Sequence, residues 1–338
     1  MDFSPVLKTF LLISIVSQIP NLKSKETTMM KCLNSFKFFS LCLVYIVSIF
    51  NQNVECAHKE PSYRSQGDDW DHICASGTKQ SPINVERSST IKANFTPFSF
   101  TNYGQEIGLK ISNTAHTIKF EVPPPYNNLP LYIQGGGLQD TYQFLQGHLH
   151  WGRRTGKGSE HTIDGKAAPM ELHLVHFNTK YGKTASEAIE SNEYNALAVL
   201  SVMFDVKERE DNKELQPLFE SISKIKKSGD TTKTEKKIKT SAFILDDRYF
   251  FRYNGSLTTP KCNEIVVWTL FKVPIMISRK QFDEVLKTTN SKMEDNANNY
   301  RKVQSLNGRK VLDSASPGIK KIHILAILLS PIFMMVFK

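Results

Sequence analysis

A chain of 338 residues that is 40% hydrophobic and 22% charged can bury a large core and lacks the composition of a disordered protein. Half of the net charge of +10 falls between Lys224 and Lys239. There the lysines are interleaved with Ser, Thr and Gly and with no aromatic residue, which argues against a nucleic-acid-binding role and reads as an exposed, solvated loop with weak attraction to anionic surfaces.

Residues 1–56 read as a leader. Within it, from Met30, Lys31 precedes an apolar core from Phe38 to Phe50 and then small residues near Cys56-Ala57, the layout of a secretory signal peptide over 30–56. An earlier apolar run, Phe10 to Val16, falls well short of the roughly 20 residues a bilayer span requires, and an upstream start or an unusually long leader accounts for it. The mature domain is expected over 57–313. Cys32 and Cys42 fall in the leader and Cys56 at its edge, which leaves Cys74 and Cys262. In an oxidising compartment these two most simply pair, closing a loop worth about 4–5 kcal/mol in the chain-entropy model; two unpaired buried thiols are the alternative. Asn94-Phe95-Thr96 is a glycosylation acceptor in an exported chain.

Short alternating runs follow, separated by Pro, Gly and Asn: Gly108 to Ile111, His116 to Val122, and Leu172 to Phe177. They predict a mainly β protein with a few short peripheral helices. The best helical signals are Thr184 to Ser191 and Lys213 to Lys226, the latter with Leu215, Leu218, Phe219 and Ile222 at helical spacing. The apolar run Ala196 to Phe204 fits a strand buried on both faces. At the carboxyl end, Ser314-Ala315-Ser316, a polar spacer to Lys321 and the apolar tail Ile322 to Phe337 have the layout of a glycolipid (GPI) anchor signal over 314–338, with Ser314 as attachment residue and the tail removed. A retained tail acting as a marginal membrane segment is the alternative.

The chemistry centres on Gln146-Gly147-His148-Leu149-His150-Trp151-Gly152. Alternate side chains of an extended chain leave the same face, so His148 and His150 can converge on one ion. In Met170-Glu171-Leu172-His173-Leu174-Val175-His176, Glu171 and His173 likewise share a face, and His173 supplies a third ligand. Three neutral imidazoles suit Zn²⁺ and leave a fourth position for water, the mark of a catalytic rather than a structural site.

Ser81-Pro82-Ile83-Asn84, the His148 to Gly152 run, Ser159-Glu160-His161-Thr162, the Glu171 to His176 run and Gly255-Ser256-Leu257-Thr258-Thr259-Pro260 stand in the order and spacing of the α-carbonic anhydrases. By these five blocks the chain resembles that family over roughly residues 60–312. The resemblance implies a large, twisted, mostly antiparallel central sheet, the α-carbonic anhydrase fold, with His148, His150 and His173 as zinc ligands. It also implies that Gln146 holds His148 and Glu171 holds His173, which fixes ring orientation and raises ligand basicity. Thr258, passing its proton toward Glu160, would orient zinc-bound hydroxide. Val175, Val199, Leu257 and Trp268 would form the apolar wall for carbon dioxide, with Thr259 beside them. His116 would be the proton shuttle, as histidine titrates in the needed range, and Tyr63 would join the cavity's water network. Cys74 and Cys262 match the disulfide of secreted and membrane-bound members.

The implied activity is reversible hydration of carbon dioxide to bicarbonate and a proton, on the extracellular face of the plasma membrane or in secreted form, with the lipid anchor as the membrane link and no nucleic-acid partner. A non-catalytic binding domain of the same fold and a zinc esterase are the alternatives. The sequence departs from the family pattern at Gly147, where a large apolar residue is usual and the strand is expected to loosen, and at Ala168 in place of an aromatic. Lys119 puts a cation near the shuttle position, and Lys261 follows Pro260. Asn254-Gly255-Ser256, a second acceptor match, lies beside the site and is expected to be blocked.

Overall fold

The computed structural model describes residues 63–314 except 155, 209, 291, 293 and 295. The expected leader with its signal core, Cys32, Cys42, Cys56, and the tail from Ala315 lie outside the described residues. Ten strands give the main path through a 13-stranded sheet. In chain order they are β1 (Ile91–Ala93), β2 (Lys110–Asn113), β3 (Ile118–Glu121), β4 (Leu138–Trp151), β5 (Met170–Asn178), β6 (Leu197–Lys207), β7 (Thr231–Lys233), β8 (Phe250–Gly255), β9 (Val266–Phe271) and β10 (Leu312–Ser314). In space they run β7-β2-β3-β4-β5-β6-β9-β8-β10-β1. Most neighbours are antiparallel, but β6 runs parallel to β9 and to Ile275–Ser278, and β10 runs parallel to β1.

The period of two explains why β5 can be buried along its whole length. Leu172 and Leu174 point into the main core with Phe120, Leu149, Leu200, Val202 and Phe204, and fully burying each such side chain stabilises the fold by about 1.5–3 kcal/mol. Glu171, His173 and Val175 take the other face. Ala196 to Phe204 behaves as expected: β6 is central and buried from Leu197 through Phe204.

Gly147 does not loosen its strand, contrary to expectation. β4 runs unbroken from Leu138 to Trp151, because the Phe120 ring occupies the space a side chain would fill; a Cβ on Gly147 would lie 2.2 Å from that ring. Here the glycine admits a neighbour's ring instead of marking a weak point.

Three helices flank the sheet: α1 (Ala185–Glu190), α2 (Gln216–Ile222) and α3 (Arg279–Leu286). α1 begins at a capping box in which Thr184 and Glu187 satisfy each other's backbone. α2 is shorter than the expected Lys213 to Lys226. Pro217, which cannot donate within a helix, fixes its first turn, and tight turns at Lys224 and Ile225 end it. The sequence reading passed over α3, although Ser278 and Gln281 form a second capping box. The lysine-rich segment is not all loop either. Thr231–Lys233 pairs with β2, Ile238–Lys239 pairs with Glu106–Ile107, and Ile225 and Ile238 are buried, so apolar anchors pin it to the sheet.

Cys74 and Cys262 are disulfide-bonded with their Cα atoms 5.1 Å apart, which removes the two-thiol alternative. The bond ties the one-turn helix Ile73–Ser76 to the loop after Thr259, whose carbonyl accepts from the Cys262 N–H.

Candidate metal centre

Strand register brings the site residues into cross-strand rows on one face. His150 lies opposite Glu171, which lies opposite Met203; His148 lies opposite His173, which lies opposite Ser201. In the next row Gln146, Val175, Val199 and Trp268 stand side by side. Two residues of strand therefore separate the imidazoles from an apolar wall, a consequence of alternation alone.

Each imidazole is held from behind. His148 Nδ1 bonds Gln146 Oε1 at 3.0 Å, His150 Nδ1 bonds the Asn299 carbonyl at 2.7 Å, and His173 Nε2 bonds Glu171 Oε1 at 2.7 Å. A carbonyl or carboxylate oxygen can only accept, so each rear nitrogen carries the proton and each front nitrogen presents a lone pair. The fronts converge: ring centroids are 5.0, 5.1 and 4.7 Å apart, and the three inward nitrogens lie within 4.8 Å of one another.

His173 Nδ1 and His148 Nε2 face each other at 3.3 Å. Two lone pairs at that distance repel, yet tetrahedral nitrogens about 2.0–2.1 Å from one zinc ion are themselves about 3.3–3.4 Å apart. His150 Nε2 is buried with no hydrogen-bond partner in the described structure, a state that costs free energy unless a cation meets it. The residues therefore fit a zinc ion. Burial also favours the neutral, ligating form. It lowers His150 to about 4 and lowers His173, and desolvation with the other two rings lowers His148 well below the usual range although that residue is only partly buried.

Glu171 is a hub of donors. Its oxygens accept from His173 Nε2, from His161 Nδ1 and N–H at 2.7 and 2.8 Å, and from the Ser201 hydroxyl at 2.6 Å. Burial alone would raise this carboxyl, but His161 and His173 outweigh it and hold it well below the usual range. His161, Glu171 and His173 also cluster tightly enough to suggest a metal set. These hydrogen bonds account for that cluster without an ion.

Glu160 stands before the imidazoles, its Oε2 3.5 Å from His150 Nε2 and 3.9 Å from His173 Nδ1. Burial pushes it up to about 7, against the opposing pull of His173, of the Arg301 N–H bonded to its Oε1 at 2.8 Å, and of the Thr258 hydroxyl. Thr258 is close enough to favour the carboxylate's charge, while Oε2 itself has no partner in firm hydrogen-bond geometry. Leu257, Thr258 and Thr259 follow β8, and their loop is pinned where the Leu257 N–H donates to the Asn263 carbonyl.

His116 is half-buried at the tip of the β2–β3 hairpin, where the Thr114 N–H donates to the Thr117 carbonyl at 2.9 Å. Asn299 ties that tip to the centre. Its side-chain amide donates to the His116 and Leu149 carbonyls, its Oδ1 accepts from the Trp151 N–H, and its own carbonyl holds His150. Lys119 lies in register with His148, and Glu121 pairs with it at 2.9 Å, so the cation is partly offset. Tyr63 packs edge-on against Trp70 at 5.7 Å; burial first, then Glu160, raises its hydroxyl pKa. Asn94 is exposed just past β1. Asn254 is exposed on β8, whereas the Ser256 hydroxyl is buried and donates to the Leu257 carbonyl. Ser314 is buried at the end of β10, its hydroxyl bonded to the Arg248 carbonyl and the Phe250 N–H.

Sequence reasoning missed Asn299, Arg301 and Tyr253. Arg301 joins Gln80 Oε1 and the Ser81 and Cys74 carbonyls through its guanidinium while its backbone holds Glu160. Tyr253 meets His161 Nε2 at 2.6 Å and donates to Ser81 Oγ at 2.8 Å. Asn299 and Arg301 act on the site through backbone groups, and no residue-type pattern marks such a role.

The sheet and its convergent imidazoles define a mainly β protein in which three nitrogens could together hold a metal ion. The family of eukaryotic-type carbonic anhydrases matches residues 65–315. Carbonic anhydrase 4 of Rattus norvegicus is 35% identical over 295 residues, which cover 82% of this chain and 90% of that protein. Carbonic anhydrase 6 of Mus musculus is 34% identical over 287 residues, 80% and 85% of the two chains, and carbonic anhydrase 7 of Homo sapiens 31% over 242, 70% and 89%. The chain belongs to the eukaryotic-type carbonic anhydrase family.

Proposed function

We propose that this protein catalyses the reversible hydration of carbon dioxide to bicarbonate and a proton, with zinc held by His148, His150 and His173. The observation that carries the reading is the set of three front nitrogens, each left with a lone pair because the ring is bonded from behind. Zinc in such a site supplies a water of lowered pKa, near 7 in carbonic anhydrases generally, and so a nucleophile at neutral pH.

The chain's own residues do the rest. The Arg301 N–H fixes Glu160, and a Thr258 hydroxyl turned to donate to that carboxylate would be able only to accept from a group in front of the imidazoles. Val175, Val199, Leu257 and Trp268 offer an apolar seat to an apolar substrate, and Thr259 flanks it. His116, on a hairpin held to the metal strand by Asn299, relays the proton to solvent. The deciding experiment is a stopped-flow hydration assay on the purified protein before and after zinc is removed by chelator. Activity that vanishes with the metal and returns with added zinc supports the reading, and equal rates in both states overturn it.

We further propose that the chain is exported with 57–313 as its catalytic domain, glycosylated at Asn94, and lipid-anchored through Ser314. A phosphatidylinositol-cleaving lipase should release it from cell membranes. Retention after complete lipase action would contradict the anchor.

A further inference from the structure

Between Lys224 and Lys239 seven lysines stand against Asp230 and Glu235. Lys224 pairs with Glu235, Lys226 pairs with Glu284 at 2.7 Å, and Lys237 lies 5.7 Å over the Tyr126 ring. Among the described residues, no ion pair engages Lys227, Lys233, Lys236 or Lys239. β7 ends the strand order, so one of its edges meets no other strand of the described sheet.

On that margin Lys233 stands in register with Lys110 of β2, and both are exposed. Thr231 Oγ1 and Ser112 Oγ, 3.2 Å apart, lie on the same face. Like charges directly opposite each other destabilise a strand pair, by up to about 1 kcal/mol. Glu121, the other cross-strand neighbour of Lys110, is already bound by Lys119, so the sheet supplies no free counter-charge at this point. The ribbon continues through Thr234, bonded to Leu109 by both backbone and hydroxyl, to Ile238–Lys239 beside Glu106–Ile107. Lys233, Lys236, Lys237 and Lys239 are thus strung along one fixed margin no more than about 20 Å long.

We propose that this margin binds a linear sulfated polysaccharide of the glycosaminoglycan type. Lysine-rich segments of this kind suit a polyanion, and ammonium groups on flexible stems act as point charges that a string of sulfates can follow. Single-stranded nucleic acid would call for aromatic side chains on which bases stack, and the segment itself carries none, while the nearby Tyr126 ring lies under Lys237. A membrane surface would call for apolar side chains beside the cations, and the residues between these lysines are polar or, as with Ile238, buried. The margin also lies at the opposite end of the strand order from β10 and Ser314, so an anchored chain would turn it away from the lipid. The proposal rests on export as proposed above and is independent of catalysis.

The test is elution of the purified exported protein from immobilised heparin in a salt gradient, with calorimetry on a heparin oligosaccharide. The expected result is retention beyond physiological ionic strength, about 0.15 M. The fourfold variant Lys233→Gln, Lys236→Gln, Lys237→Gln, Lys239→Gln should bind at least about tenfold more weakly with a shallower salt dependence. A control of equal net charge, Lys79→Gln, Lys157→Gln, Lys166→Gln, Lys310→Gln, should bind like the parent, and both variants should keep full carbon dioxide hydration, which reports an intact fold. Equal weakening by the two variants, or elution of the parent below physiological salt, overturns the proposal. So does binding to phosphatidylserine vesicles or single-stranded RNA in preference to heparin.

Discussion

Strand β5 carries two buried histidines three residues apart, His173 and His176, and they differ in what meets their nitrogens. A register shift between Val175 and His176 separates them. His176 has both nitrogens engaged, one by the Tyr103 hydroxyl and one by the Ala198 carbonyl at 3.3 Å, and its ring stacks on Tyr103. His173 has only its rear nitrogen engaged by a group of opposite role; its front faces two other imidazoles and a carboxylate. Burial, residue type and strand are shared, so the proposed ligand differs from its neighbour in a front nitrogen whose lone pair the fold leaves open.

The largest expected contrast comes from removing each ring. His173→Ala should lose zinc, measured by metal analysis, and with it hydration down to the level of the chelated protein. His176→Gln should keep zinc and activity and lose about 1–3 kcal/mol of stability in denaturant unfolding, because Tyr103 is left without its partner. Next, Thr258→Ala should keep stoichiometric zinc yet lose about 10²-fold in kcat/KM, since it removes an orienting hydrogen bond and no ligand. His116→Ala should slow turnover by about tenfold or more in dilute buffer and recover with added imidazole; a rate unchanged in both conditions would remove the shuttle.

Two smaller effects sharpen the same comparison. Burial lowers His176 to about 3, so this ring is neutral in the folded chain while an unfolded one takes up a proton near pH 6.5. The unfolded state then binds more protons between those values. Stability from this group is complete above about pH 6.5 and falls by up to about 1.4 kcal/mol per pH unit on the way to 3. Unfolding curves across that window should show a shallower slope for His176→Gln than for the parent. Gly147→Ala should cost about 1–3 kcal/mol by forcing the Phe120 ring out of its place, with zinc affinity little changed.

The site was legible in the sequence where its chemistry rides on alternation. His148, His150, Glu171 and His173 sit on strands, and a period of two fixes their face whatever the rest of the chain does. His176 was distinguishable from His173 for the same reason, since only His173 shares a face with Glu171. Asn299 and Arg301 were invisible because their service to His150 and Glu160 comes from a carbonyl and an N–H, groups that almost every residue owns. Gly147 was misread because its meaning depends on Phe120, 27 positions away in sequence but adjacent across the sheet. The lysine-rich margin was taken for loop because charge dominates its composition, while the buried Thr234 and Ile238 that hold it are few. Helix α3 carried its start signal in plain view at Ser278 and Gln281, but its apolar positions were too sparse to draw notice.

Three front nitrogens, and not the neighbouring His161–Glu171 pair, are proposed to hold the ion. Anomalous diffraction at the zinc edge on crystals of the purified protein tests this most directly. One peak is expected, about 2.0–2.1 Å from His148 Nε2, His150 Nε2 and His173 Nδ1. A peak coordinated by Glu171 or His161, or no peak in protein that hydrates carbon dioxide, would contradict it.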